Sequence, residues 1–296
     1  MRGTPSIGVM AAGREEPVAC LIDGMRNHGF VLGENLTCHV RIARGDPARL
    51  AGFAQELVAL EPDLIAVIGA VTARAVREVS TEIPVVYAVV VDPPGDGLAT
   101  ASGGPLLNMT GVTTFDPDQA GAQIELLRAV RPDISTVACL ADEAVSDCLV
   151  DANARAAADA GMAARVFRIN GSAPDLHSVF EQVRDNAAQA LVMLEQPALG
   201  VHAGEIAERA TAQKLLTIFP LTQAGAGGLL SYGTSLGEAA GAMAWQASRI
   251  LGGDAAINLP IRTVRRPALV VDLRTAARLG IALPQSLLVQ SERVIQ

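Results

Sequence analysis

Several polar residues stand directly after short apolar runs, where a side chain can be held against a ligand. Asp92 follows PVVYAVVV, Asp142 follows TVACLA, and Glu195-Gln196 follow ALVML. A carboxylate in such a position can pair with an ammonium group, and an amide or hydroxyl can hydrogen-bond to it. Thr222 and Tyr232 occupy comparable positions further on, and Ala12 lies in the loop after the first apolar run. Gly69-Ala70-Val71-Thr72 joins an apolar run to a helical pattern. The free N–H groups of a helix start favour anions, so a carboxylate could be held by these amides and the Thr72 hydroxyl. Each of these residues also has a structural reading: Thr72 as an N-cap, Asp92 as an Asp-Pro turn, Glu195 as a capping or solvated residue. Tyr232 reads equally as a buried tyrosine with a satisfied hydroxyl. Both sets stay open at the level of sequence.

Catalytic, metal and cofactor readings find little support. His28, His39, His177 and His202 have no metal-ligand spacing. Cys20, Cys38, Cys139 and Cys148 are scattered without a CxxC, which points to buried free thiols. No GxSxG, P-loop or GxGxxG follows a strand, and the Gly225–Gly228 run lacks the Lys and Ser or Thr of a phosphate cradle. We therefore expect no catalytic residue, no metal and no cofactor. A racemase- or isomerase-like enzyme would need paired acids or thiols, such as Asp92 with Cys139 or Asp142, around one pocket.

The elements that position these residues alternate. Ser6–Met10 reads as a strand, Val18–His28 as a helix ending at Gly29, and Leu36–Ile42 as a strand. A helix opens at Asp46-Pro47 and stops at Pro62. Leu64–Ile68 and Pro84–Val91 are continuous apolar strands of the kind covered on both faces. After a Gly/Ser-rich run the pattern restarts. Gly111–Phe115 is a strand, Asp116-Pro117 caps a helix, Thr136–Ala141 is a strand, and Val145–Ala160 is a helix. Strands at Ala164–Ile169, Ala190–Leu194 and Leu215–Phe219 alternate with further helices, and the last forty residues are less regular. The implied class is α/β: two Rossmann-like lobes with parallel-sheet cores. In open sheets of this kind ligands bind beyond the carboxyl ends of the strands. That rule selects Ala12, Gly69, Thr72, Asp92, Asp142, Glu195, Gln196, Thr222 and Tyr232 as ligand-binding candidates, with a cleft expected where the two halves meet.

A chain of 296 residues, half of them hydrophobic, has material for two cores. With 3% aromatic residues and Trp245 alone as tryptophan, those cores must be aliphatic. The net charge of −8 argues against a nucleic-acid partner, which requires a basic face. No apolar run reaches eighteen residues, so no transmembrane helix is expected. The segment MRGTPSIGVM lacks the basic and apolar regions of a signal peptide.

The ordered set MRNHGFVLGENL (Met25–Leu36), GDPARLAGFAQELVALEPDLI (Gly45–Ile65), IPVVYAVVVDPPGDGL (Ile83–Leu98), NMTGVTTF (Asn108–Phe115), GGLLSYGTS (Gly227–Ser235) and LRTAARLGIALPQSLLVQSERVI (Leu273–Ile295) resembles one family along essentially the whole chain. That family is the substrate-binding component of ABC importers, in the group of tryptophan- and tyrosine-binding lipoproteins. The resemblance implies a type I periplasmic-binding-protein fold with a three-crossing hinge. It places residues 1–113 and 223–258 in lobe one, and 114–222 and 259–296 in lobe two. It implies capture of an amino acid or small aromatic carboxylate by hinge closure, delivery to ABC permease membrane subunits, a monomer, and a periplasmic or membrane-anchored extracytoplasmic location. Thr72 and its neighbouring amides would hold the ligand carboxylate, and Asp92 or Glu195 its ammonium group. Tyr87, Phe115, Phe219 and Tyr232 are the aromatic residues near strand ends that could stack on a ligand. A ligand-sensing domain with a signalling partner would share these features.

Overall fold

The apolar run Leu64–Ile68 forms a strand with every residue buried, the centre of the first of two sheets. It belongs to a computed structural model that describes residues 3–13, 15–116, 118–143, 147–170 and 173–296. Pro117 and Val145, expected at helix starts, lie outside the described residues. The chain divides into two compact units, Met1–Phe115 with Leu236–Arg265, and Asp116–Ser235 with Arg266–Gln296. It passes between them three times.

The first unit contains β1 (Ser6–Ala11), α1 (Glu16–Asn27), β2 (Thr37–Ile42), α2 (Leu50–Ala59), β3 (Leu64–Ile68), α3 (Ala70–Val79), β4 (Val85–Val90) and β5 (Met109–Thr113). The second contains α4 (Gln119–Val130), β6 (Thr136–Asp142), α5 (Cys148–Asp159), β7 (Ala163–Ile169), α6 (Leu176–Asp185), β8 (Ala190–Met193), α7 (Pro197–Val201), α8 (Ala203–Ala212), β9 (Leu216–Phe219) and β10 (Leu230–Thr234). α9 (Leu236–Leu251) and β11 (Arg262–Thr263) return to the first unit, and β12 (Pro267–Asp272), α10 (Leu273–Leu279), α11 (Gln285–Gln290) and β13 (Arg293–Ile295) close the second.

The first sheet runs β11-β5-β4-β3-β1-β2, with all pairs parallel. Alternation along its strands sends side chains to two cores. Ile7, Val9, Leu64, Ala66 and Val86 pack against α1 and α9, whereas Met10, Ile65, Val67, Val85 and Tyr87 pack against α2 and α3. The second sheet runs β13-β12-β10-β9-β8-β6-β7. Its pairs are parallel except β10 with β12.

Two close approaches fix helices and strands in the first unit. A Cβ on Gly24 of α1 would lie 2.7 Å from Cβ of Ala244 in α9, so only glycine lets these helices meet. A Cβ on Gly111 of β5 would lie 2.2 Å from the Tyr87 ring.

The unit boundaries differ from the expected ones. β10 hydrogen-bonds in parallel to β9, Leu230 opposite Ile218, and antiparallel to β12. Residues 223–235 therefore belong to the second unit, and the chain returns to the first only at α9. β11 pairs with β5, Arg262 opposite Val112, which keeps 259–265 in the first unit. The tail forms the short helices α10 and α11 and edge strand β13.

Candidate functional site

In the second unit, four of the expected residues meet at the carboxyl ends of β6, β8 and β9. β8 ends at Met193, and the chain turns tightly: Leu194 N–H donates to Leu140 O at 3.2 Å, and Gln196 N–H to Leu194 O at 3.0 Å. This γ-type turn puts Glu195 at its apex. Gln196 is extended (φ −139°, ψ 146°) and precedes α7. Its side chain is buried, and its Oε1 accepts the backbone N–H of Asp142 at 2.5 Å, tying the end of β6 to the end of β8. A backbone N–H can only donate, so the amide orientation is fixed with Nε2 on the far side. Nε2 is buried and meets no acceptor among the described residues. A donor left in that state costs about 1–3 kcal/mol.

Glu195 has no ion-pair partner among the described residues. The Thr222 hydroxyl, from the turn after β9, donates to its carboxylate. Burial nevertheless dominates and pushes the carboxyl up to about 7. Asp142 is buried beside them, at 4% exposure. The neighbouring Gln223 side chain packs over Gly200 of α7, where a Cβ would lie 2.8 Å from its Nε2.

In the first unit, Gly69 lies between β3 and α3 with φ 105° and ψ 147°, a conformation that only glycine holds without strain. Its N–H donates to Ala88 O at 2.9 Å. The Thr72 hydroxyl is fully buried and donates to Gly69 O at 2.6 Å. Its only hydrogen is thus committed to the helix start, and what remains for an anion is the set of first-turn amides of α3. Both backbone groups of Ala12 are also engaged, its N–H with Ile68 O at 3.3 Å and its carbonyl with Gly45 N–H at 2.7 Å.

Asp92 forms the turn that its Asp-Pro context suggests. Its Oδ1 accepts Gly95 N–H at 3.0 Å, and its carbonyl accepts Asp96 N–H at 2.8 Å. Asp96 is buried against the Arg74 guanidinium of α3, and Arg77 donates to Gly97 O, so two arginines pin this loop to the helix. Burial raises the Asp96 carboxyl, the Arg74 charge lowers it, and Asp92 raises it. Just before this loop, Val89 takes φ 57° and the β4–β5 register breaks between Tyr87 and Val90. Ala88 and Val89 consequently face the same core, and Val90 faces the other. A β-branched residue at positive φ is strained, and the resulting bulge sets the direction in which Val91 and Asp92 leave the sheet. Nothing in the sequence signals it.

The aromatic expectations change most. Tyr87 and Phe219 are fully buried core residues, packed over Gly111 and Gly228, and are not free to stack on a ligand. Tyr232 lies within β10 and lines an open depression of about 510 Å³ with α4 residues Ala122, Glu125 and Leu126. Its hydroxyl is raised by burial, then by Asp116 and Glu125. No disulfide joins the described cysteines; Cys139 is buried and Cys20, Cys38 and Cys148 are half-buried. No group of three or more potential metal ligands comes together among the described residues.

Two α/β units with parallel-sheet cores, linked by three chain crossings and with polar residues at their strand ends, define a type I periplasmic-binding-protein fold. The chain belongs to the ABC transporter substrate binding protein family, whose profile matches residues 7–295. It is similar to a conserved domain protein from Vibrio cholerae O1 biovar El Tor, at 21% identity and TM-score 0.91, covering 98% of this chain and 99% of that one. It is also similar to an ABC domain from Streptococcus pneumonia in complex with L-Trp, at 21% identity and TM-score 0.90, covering 99% and 100%. A solute-binding protein from R. palustris in complex with 4-hydroxybenzoate shares 15% identity at TM-score 0.63, covering 90% and 92%. Comparison with curated proteins gives no match. Among the described residues no helix is long and apolar enough to cross a membrane.

Proposed function

We propose that this substrate-binding protein captures an amino acid or a small aromatic carboxylate and presents it to the membrane subunits of an ABC importer. The family match over residues 7–295 carries the reading. The ligand class is supported by similar proteins seen with L-Trp and with 4-hydroxybenzoate, and by the polar turn at Glu195 and Gln196. We assign the ligand-binding role to the strand-end residues of both units, Glu195, Gln196, Asp142 and Thr222 foremost, with the α3 amides as anion donors. The three crossings serve as the hinge. A ligand that binds one conformation more tightly shifts the equilibrium towards it by its differential affinity. The protein acts as a monomer outside the cytoplasm, binds no nucleic acid, and releases its ligand chemically unchanged. A thermal-shift screen against the twenty amino acids, aromatic acids and small carboxylates tests this. A ligand at one hundred times its Kd adds about 2.7 kcal/mol of stability, a shift of several degrees. A flat response across the screen refutes solute capture from these classes. Gel filtration with light scattering tests the monomer.

A further inference from the structure

We propose that Trp245, Arg249 and Arg262 form a docking surface on the first unit for an acidic segment of a protein partner, which on the reading above is a membrane subunit of the importer. Only the partner's identity rests on that reading, because none of the three residues is among those assigned to the ligand.

Trp245 is the only tryptophan of the chain and lies half-buried on α9. The Arg262 guanidinium sits over its ring, 5.0 Å from the centroid, and the Arg249 guanidinium sits over the same ring at 5.9 Å. Both lie within the range of cation–π attraction. Arg249 comes from the last turn of α9 and pairs with Asp254 at 2.5 Å. Arg262 comes from β11, which forms one edge of the first sheet and is paired on one side only. Arg262 is exposed and meets no carboxylate among the described residues. Ile257, in the connection from α9 to β11, is 49% exposed. Positive charge and apolar surface thus coincide on a protein whose net charge is −8.

This composition points to a protein partner. Trp and Arg are the side chains that most often carry the binding energy of protein interfaces. A guanidinium stacked on a ring is held in one orientation, and its N–H edges remain open to a carboxylate in a two-pronged contact. The complementary group is therefore an Asp or Glu side chain. An anionic bilayer fits less well, because it would face the acidic remainder of the chain as well as this surface. A loop meets the surface alone.

Trp245 reports on its own surroundings, because no other tryptophan contributes to emission excited at 295 nm. The solute-free full chain is titrated at low salt with a decamer of glutamate, a decamer of glutamine, and vesicles of equal parts phosphatidylglycerol and phosphatidylcholine. The expected result is a saturable change in emission with the glutamate decamer only, weakened at least about fivefold at tenfold higher salt. Arg262→Glu should weaken the glutamate decamer by about tenfold or more, while its urea midpoint and its affinity for the solute found in the thermal screen stay within about twofold of wild type. The double variant Arg249→Gln, Arg262→Gln removes the charge without adding repulsion and should show a similar loss, which keeps the test decisive if Arg262→Glu fails to fold. A response to vesicles but not to the glutamate decamer assigns the surface to the membrane and overturns the proposal. No response to that decamer, an equal response to glutamine, or unchanged affinity in the folded variants overturns it too. Each of these results leaves solute capture standing. A flat thermal screen beside intact binding of the glutamate decamer removes the importer reading and leaves the docking surface.

Discussion

Replacing Glu195 by glutamine should change how the stability of the protein depends on pH. Burial holds the Glu195 carboxyl at about 7 in the native state, against an ordinary value of 4.5. The native chain therefore keeps this proton to higher pH than the unfolded chain does. Below pH 4.5 the group is neutral in both states and costs nothing. As pH rises from 4.5 towards 7 the unfolded chain releases the proton first, and stability falls. Above 7 the full difference applies, about 3 kcal/mol at 1.36 kcal/mol for each tenfold change in proton affinity. This is an upper limit, because part of the side chain is exposed. Asp96 is also raised and adds a slope of the same sign, so the informative quantity is the difference between wild type and Glu195→Gln. Urea unfolding at half-unit intervals from pH 5 to 8.5 measures it. The variant should gain on the wild type as pH rises and level off above 7. Parallel profiles would refute the claim that burial, unrelieved by a cation, governs this carboxyl. The same sign predicts that an ammonium-bearing ligand binds more tightly as pH rises through 7, with release of a proton.

Three further substitutions probe the scaffold. Gly111→Ala drives a Cβ to 2.2 Å from the buried Tyr87 ring and should destabilise the first unit by about 3 kcal/mol or more. Adding Tyr87→Leu should recover over half of that in urea melts, and no recovery would show that the clash is not the cause. Gly24→Ala meets the Ala244 Cβ at 2.7 Å and should cost about 1–3 kcal/mol, read from the urea midpoint at unchanged slope. Asp272→Ala removes the acceptor of Arg274 and Thr275 N–H at the start of α10, together with its pair to the Arg274 guanidinium. A loss of about 1–2 kcal/mol is expected, and Asp272→Asn should recover part of it.

How far the sequence speaks can be judged from particular residues. The continuous runs of β3 and β4 and the stripes of α2 and α6 announced buried strands and amphipathic helices, because periodicity directly reflects which faces are covered. The Glu195–Gln196 turn was legible as polar residues after an apolar run ending at a proline. Its key feature was not. The lock between Gln196 and Asp142 joins residues 54 apart in sequence, and no local pattern encodes it. Asp92 carried two readings, and its Gly95 contact builds the turn. Thr72 likewise spends its hydroxyl on the helix start. Tyr87 and Phe219 were expected near a ligand because they stand near strand ends. Each is instead drawn into the core by a facing glycine, Gly111 or Gly228, which leaves room for a ring. β11 and β13 escaped detection because strands of two and three residues carry no period.

Isothermal titration of the purified protein with the strongest solute from the screen, followed by recovery of that solute, tests the substrate-binding role most directly. A single-site isotherm with stoichiometry near one, a Kd on the order of 1 μM, about −8 kcal/mol, and a chemically unchanged solute is the expected result. Absence of saturable heat for every solute, or recovery of a converted product, would contradict that role.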